Sequence, residues 1–114
     1  MSSLKNKVQL IGHLGANPEV KTTENNKMLA RFSIATTDYY KNAKGEKQED
    51  TQWHQVVAWG KTAELAEKYL QKGSKVTIEG KLNNRQYEDK DGVKRYITEV
   101  VANELLFMDN KSKS

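Results

Sequence analysis

Trp53, Gln55, Val57 and Trp59 fall at every second position of the segment TQWHQVVAW. In a strand these four share one face, and His54, Val56 and Ala58 share the other. Two readings of the tryptophans compete. Either both rings are core, or both lie open on a sheet as platforms for flat nucleobases, a mode of binding indifferent to sequence. Gln55 between them weighs against a wholly buried face. Arg85 and Tyr87 are a second pair. A ring beside a guanidinium offers stacking and a phosphate contact together, although the same pair is also ordinary on a solvated hairpin. Tyr39 and Tyr40 open a polar stretch, as further platforms or as cover for the rim of a barrel. Lys41, Lys44, Lys61, Lys72, Lys94 and Arg95 interleave with these aromatics. Interleaving is what lifts single cations above mere solvation. Phe32 and Tyr69 read as core, and Phe107 ends an apolar run without declaring itself.

Other chemistries are poorly supplied. With no cysteine, a disulfide framework, a cysteine zinc site and thiol catalysis are excluded. A metal-dependent nuclease needs clustered carboxylates. Glu46, Glu49 and Asp50 read instead as loop residues, and Glu88, Asp89 and Asp91 as turn residues. His13 and His54 lack a plausible triad, and His54 reads as a satisfied polar residue. The expectation is a binding protein, not an enzyme, with no cofactor and no metal. Nineteen Lys and Arg against fifteen Asp and Glu give a net charge of +4, which is compatible with a polyanionic partner. No apolar run approaches the roughly 20 residues that span a bilayer, and the N-terminus lacks a signal-peptide core. A cytoplasmic protein without a membrane partner is expected.

The elements that must carry these side chains are mostly strands. Val8, Leu10 and Leu14 alternate with Gly12 in phase, and Gly12 suggests a bend or bulge. Pro18 marks a turn. Ala30, Phe32 and Ile34 alternate over 28–37, and KNAKGEKQED reads as a long exposed hairpin loop before 51–59. In KTAELAEKYLQKG, Leu65 with Tyr69 and Ala66 with Leu70 stand four apart, and Gly73 sits where a helix C-cap glycine belongs. Val76, Ile78 and Leu82 alternate next with Gly80, a parity that puts Arg85 and Tyr87 on the non-core face. Asp91-Gly92 marks a turn, and alternation resumes through Tyr96, Thr98, Val100 and Ala102. Five strands with one helix between strands 3 and 4 is the order of an all-β, five-stranded Greek-key barrel, the OB-fold. Its length allows one domain, residues 1–108, followed by a short flexible tail, 109–114.

At these residues the chain resembles the bacterial single-stranded DNA-binding protein family. The resemblance runs through NKVQLIGHLGANPEV, FSIATTDYY, TQWHQVVAWGKTAELAEKYLQKGSKVTIEGKL and RYITEVVANEL, in order and spacing. It implies an OB-fold homotetramer that wraps single-stranded DNA in replication, recombination and repair, associated with the nucleoid. By position it implies base stacking on Tyr40, Trp53, Trp59 and Tyr87. It implies backbone contacts from Lys61, Lys72 and Arg85, and a place for His54 at the subunit interface. Gln55 and Asn83 stand where relatives are often basic, which lowers the expected number of phosphate contacts. Relatives usually continue into a linker and an acidic tip that recruits other enzymes. The sequence ends instead in Asp109-Asn110-Lys111-Ser112-Lys113-Ser114, so recruitment through such a tip is not expected. An OB-fold protein of the primosome, a nuclease and a purely protein-binding OB module are the competing readings. The last requires buried tryptophans.

Overall fold

The computed structural model describes residues 4–108. After a short 3-10 turn, Leu4–Asn6, come β1 (Val8–Leu14), β2 (Glu19–Thr22), β3 (Met28–Lys41) and β4 (Lys47–Trp59). The helix α1 (Gly60–Tyr69), β5 (Lys75–Glu88) and β6 (Lys94–Phe107) follow. The strands form one sheet in the order β1-β5-β6-β4-β3-β2. β1 also pairs with β3 at His13↔Ala35 and Leu14↔Ile34, so the sheet closes on itself. The β4–β6 pairing is parallel and the others are antiparallel. A barrel closed by β1, β3, β4, β5 and β6, with one helix, is the OB-fold.

Alternation explains the core. Ala30, Phe32 and Ile34 of β3, Val56 and Ala58 of β4, Val76 and Ile78 of β5, and Val100 and Ala102 of β6 are all buried. Each large aliphatic side chain so buried stabilises the fold by about 1.5–3 kcal/mol. Ala63 and Ala66 bring α1 close against this core, and Leu70 follows them in. β6 changes phase once. Glu79 pairs with Glu104 but Gly80 pairs with Ala102, leaving Asn103 as a bulge. Core-facing positions therefore pass from Val100 and Ala102 to Leu105.

Several expectations need correction. A sixth strand, β2, is present, so α1 lies between the fourth and fifth strands rather than between strands 3 and 4. Four residues with one half-buried side chain, Val20, are too few to show alternation. The pairing of β2 with Arg31, Ala30, Leu29 and Met28 of β3 creates it. The expected loop over KNAKGEKQED shrinks to Asn42–Glu46, because β3 and β4 pair unbroken as far as Lys41↔Lys47. Strands exposed on both faces carry no apolar period, and the ladder forms without one. Gly12 is not a bulge but a close crossing, where a Cβ would strike the Ala35 carbonyl oxygen. The helix stops at Tyr69 with Leu70 as an extended C-cap, because Leu70 turns into the core; Gly73 lies beyond, donating its N–H to Leu14 O at 2.9 Å. Tyr69 is not core. The small residues Ala63 and Ala66 face inward, and Tyr69 lies outside against Phe107, with ring centroids 5.2 Å apart. The tail 109–114 lies outside the described residues.

Candidate nucleic-acid interface

Opposed residues in a ladder stand on the same face of the sheet. Arg31 of β3 opposes Val57 of β4, Val57 opposes Val101 of β6, and Val101 opposes Lys81 of β5. One row thus crosses four strands on the outward face, apolar at its centre and cationic at both ends. Beside it lie Ser33 with Gln55 and Asn83 with Glu99, and beyond them Ala35 with Trp53 and Arg85 with Ile97. A shallow depression of about 340 Å³ opens here, lined by Asn17, Glu19, Arg31, Ser33 and Gln55 among others.

Both tryptophans sit on this face, Trp59 opposite Leu29 and Trp53 opposite Ala35. Their exposures of 59% for Trp53 and 44% for Trp59 dispose of the core reading. Six residues of strand hold them roughly 20 Å apart. Gly15 sets the pose of Trp53. A Cβ built there would lie 2.6 Å from Cζ3 and 2.8 Å from Cη2 of the indole. The ring therefore rests against bare backbone at the end of β1 while more than half of the residue stays open. Trp59 takes its place from the turn into α1, which needs the positive φ of Gly60, 59°.

The basic residues divide. Lys61 is exposed in the first turn of α1, directly after Trp59. Lys72 is exposed in the turn after α1, and its N–H donates to Asn17 Oδ1 at 2.8 Å. That bond ties it to the turn following Gly15, on the side of Trp53. Arg85 is different. Its Nε donates to Glu99 Oε2 at 3.1 Å, and Asn83 Nδ2 reaches the same oxygen at 3.5 Å. Glu99 is buried on this outward face. The pair fixes the plane of the guanidinium, so a phosphate would be met by its terminal nitrogens. Tyr87 is half open and opposes Arg95, whose Nε donates to Asp89 Oδ2 at 2.9 Å. That bond first, then the Val93 N–H, holds the Asp89 carboxyl below the usual carboxylate range.

Trp53, Trp59, Tyr87 and Arg85 share one surface, as their parities indicate, and Tyr40 does not. Tyr40 opposes Gln48 on the other face of the hairpin, the face of Thr36 and His54. His54 is half-buried, with Nε2 2.9 Å from Thr36 Oγ1. Arg31 and Lys81 escaped a reading that looked for cations next to aromatics along the chain. Non-core parity in their strands is the signal that would have found them. Glu99 and Gly15 had no such signal, because each matters through a residue distant in sequence. Among the described residues, no group of three His, Cys, Asp or Glu is placed to hold a metal ion. Among the same residues, no helix is long and apolar enough to cross a membrane.

Fold and face together define an OB-fold barrel that presents an aromatic, cation-flanked sheet surface. The model of the single-strand binding protein family matches residues 5–108, and the chain belongs to that family. It is 44% identical over 107 residues to single-stranded DNA-binding protein 1 of Chlorobaculum tepidum, covering 93% of this chain and 66% of the relative. It is also 44% identical over 108 residues to the single-stranded DNA-binding protein of Xanthomonas campestris, covering 95% and 63%. The chain thus spans about two thirds, or slightly less, of the length of these relatives. Its fold is similar to the Plasmodium falciparum SSB solved in complex with ssDNA, at a TM-score of 0.84 and 31% identity, covering 96% of this chain and 98% of that one.

Proposed function

We propose that this domain binds single-stranded DNA with little sequence preference and does no chemistry on it. One observation carries the reading: two large indoles lie open on the outward face of β4, within a surface whose central row ends in Arg31 and Lys81. Bases stack on Trp53, Trp59 and Tyr87 while Lys61, Lys72 and Arg85 hold phosphates, with Arg31 and Lys81 on the same track. Each stacked base contributes roughly 1–3 kcal/mol, enough for a few platforms to hold a strand before ordering costs. A strand so held is kept from re-annealing and from nucleases during replication, recombination and repair, at the nucleoid in the cytoplasm. The names of the similar relatives, and the ssDNA in the complex of the similar structure, support this.

The domain acts as a homotetramer. β1 uses one edge for β5 along Val8–His13 and meets β3 only at His13 and Leu14, so the other edge of Val8–Gly12 is unpaired among the described residues. Such an edge is a template for another chain. Ile11 and Leu106 flank Thr77 in one outward row and are 50% and 63% exposed. His54 contributes from the inner face of the β3–β4 hairpin, so His54→Ala should lower the assembly state in sedimentation before it lowers DNA binding.

Tryptophan fluorescence tests the main reading. Oligo-dT should quench it strongly and duplex DNA of matched length should not, with a modest loss at higher salt. Absence of quenching by either would move the function to a protein-binding OB module.

A further inference from the structure

Glu99 puts a buried carboxylate in the middle of the aromatic face, and we infer that it is a positioning residue for the DNA backbone. It keeps phosphates off its own row and leaves the row of Arg31 and Lys81 to attract them. The inference rests on the DNA-binding reading above. From Trp59 toward Trp53 the outward face presents four rows, set by the ladders of β3, β4, β5 and β6. Trp59 is in the first. The second ends in Arg31 and Lys81. The third holds Ser33, Gln55, Glu99 and Asn83, and the fourth holds Trp53 and Arg85. Successive rows are two residues apart along the strands, roughly 7 Å. The third row therefore lies between the indoles, and Glu99 brings a negative charge to three uncharged polar neighbours.

Stability of the barrel does not call for a carboxylate there. Glu99 is 6% exposed, and a buried ion pair is often no more stabilising than apolar residues of similar volume. Its same-face neighbours along β6, Ile97 and Val101, are apolar. On a polyanion the charge acts directly. Arg85 and Asn83 both donate to one oxygen, Oε2, so Arg85 and Glu99 together present no net charge to a phosphate. Arg85 then serves through its terminal nitrogens as an oriented donor, its charge already offset. A phosphate over the third row meets a like charge, which is how a wrong register is suppressed. Over the second row it meets Arg31 and Lys81, which are exposed and form no ion pair among the described residues. Glu19 stands across from Arg31 in β2 without pairing to it. The rows are closer together than the screening length of about 8 Å at physiological ionic strength, so Glu99 is felt on both sides of its own row. The backbone is drawn to Arg31 and Lys81, and the bases lie over the third row between the indoles.

The test titrates oligo-dT of about 12 nucleotides, within the span of one OB domain, across a salt series, with Trp53 and Trp59 as reporters. Glu99→Gln keeps the shape and an acceptor oxygen for Arg85 but removes the charge. It should bind more tightly at low salt, with the slope of log affinity against log salt steeper by roughly 0.7, the value for one further single-strand phosphate. Replacing Arg85 by Gln in the same protein should return the slope to that of the unaltered one. Glu88→Gln makes the same change of net charge on the opposite face of β5, where Glu88 is exposed, and should leave the slope unchanged. Arg31→Gln with Lys81→Gln should lower the slope by roughly 1.4. An unchanged slope or weaker binding in Glu99→Gln with an unaltered melting temperature overturns the inference, as does equal steepening in Glu88→Gln. Should Glu99→Gln fail to fold, the exposed Arg31 and Lys81 decide: an unchanged slope in their double variant overturns the inference while DNA binding stands. Failure of the unaltered protein to be quenched overturns the reading beneath it and the inference with it.

Discussion

The two long hairpins, β3–β4 and β5–β6, are built alike at their tips and differently along their outward faces. Each tip is closed by one short acceptor: Asn42 Oδ1 takes the N–H groups of Lys44 and Glu46, and Asp89 Oδ1 takes those of Asp91 and Val93. Along β5–β6 the arginines are already engaged, Arg85 by Glu99 and Arg95 by Asp89. Along β3–β4 the lysines oppose one another and have no such partner among the described residues. In one hairpin both arginines are held by carboxylates, which fixes their orientation, and Lys81 is left as an open cation on its outward face. The other keeps an uncompensated positive charge beside its aromatic residues. Charge that a fold leaves unneutralised is charge available to a polyanion, so Lys41 and Lys47 should add to the salt dependence of binding, and Arg85 and Arg95 should chiefly supply orientation.

Substitutions can break this contrast. The largest effect is expected at Trp53. Trp53→Ala should weaken oligo-dT binding by roughly 5- to 100-fold with an unchanged melting temperature; an equal drop in melting temperature would mean that the indole is structural. Arg85→Ala strands the Glu99 carboxylate without its charged partner. Stability should fall by about 1 kcal/mol or somewhat more, the low end for a group left unsatisfied because Arg85 is partly exposed. Lys41→Gln, measured by the same thermal melts, should cost nothing or stabilise slightly. Equal losses at both positions would erase the distinction between the hairpins.

Smaller effects sharpen it. Lys41→Gln with Lys47→Gln should lower the slope of log affinity against log salt by roughly 1.4, about 0.7 for each single-strand phosphate released. Gly15→Ala puts a methyl group into the space of the Trp53 ring. It should shift tryptophan emission and weaken binding less than Trp53→Ala does, with the barrel intact by circular dichroism. The smallest effect is one of pH at the β5–β6 tip. The Asp89 pKa is lowered in the folded protein, so its bond to Arg95 stabilises the tip above the ordinary carboxylate value. That contribution is lost as pH falls through the lowered one. The protection of the Val93 amide, its exchange measured against the intrinsic rate at the same pH, should therefore fall below pH about 4, while core amides such as that of Ile78 keep theirs.

How much of this is legible before folding depends on distance along the chain. The alternation Ala30, Phe32, Ile34 and its counterparts in β4, β5 and β6 identifies the core strands, because a period of two is a local property. The same logic puts Arg85 and Tyr87 on the non-core face and Trp53 and Trp59 together on one face, and only their exposure in the folded barrel decides that this face is open. That logic misplaces Tyr69, since four-residue spacing cannot tell which of two neighbouring helical stripes is the small one that docks. It misses β2 and the outer half of β3–β4, where partners are hydrogen-bonded backbone and no apolar pattern exists to be read.

Residue types and their order therefore settle the core strands, the single helix and the candidate platforms, because each follows from patterning within a dozen residues. Which cations are spent and which remain, and why Gly15 carries no side chain, are settled only on closure. They depend on contacts such as Arg85 with Glu99, Lys41 with Lys47 and Gly15 with Trp53, and a contact between distant residues has no local signature until the strands are in register.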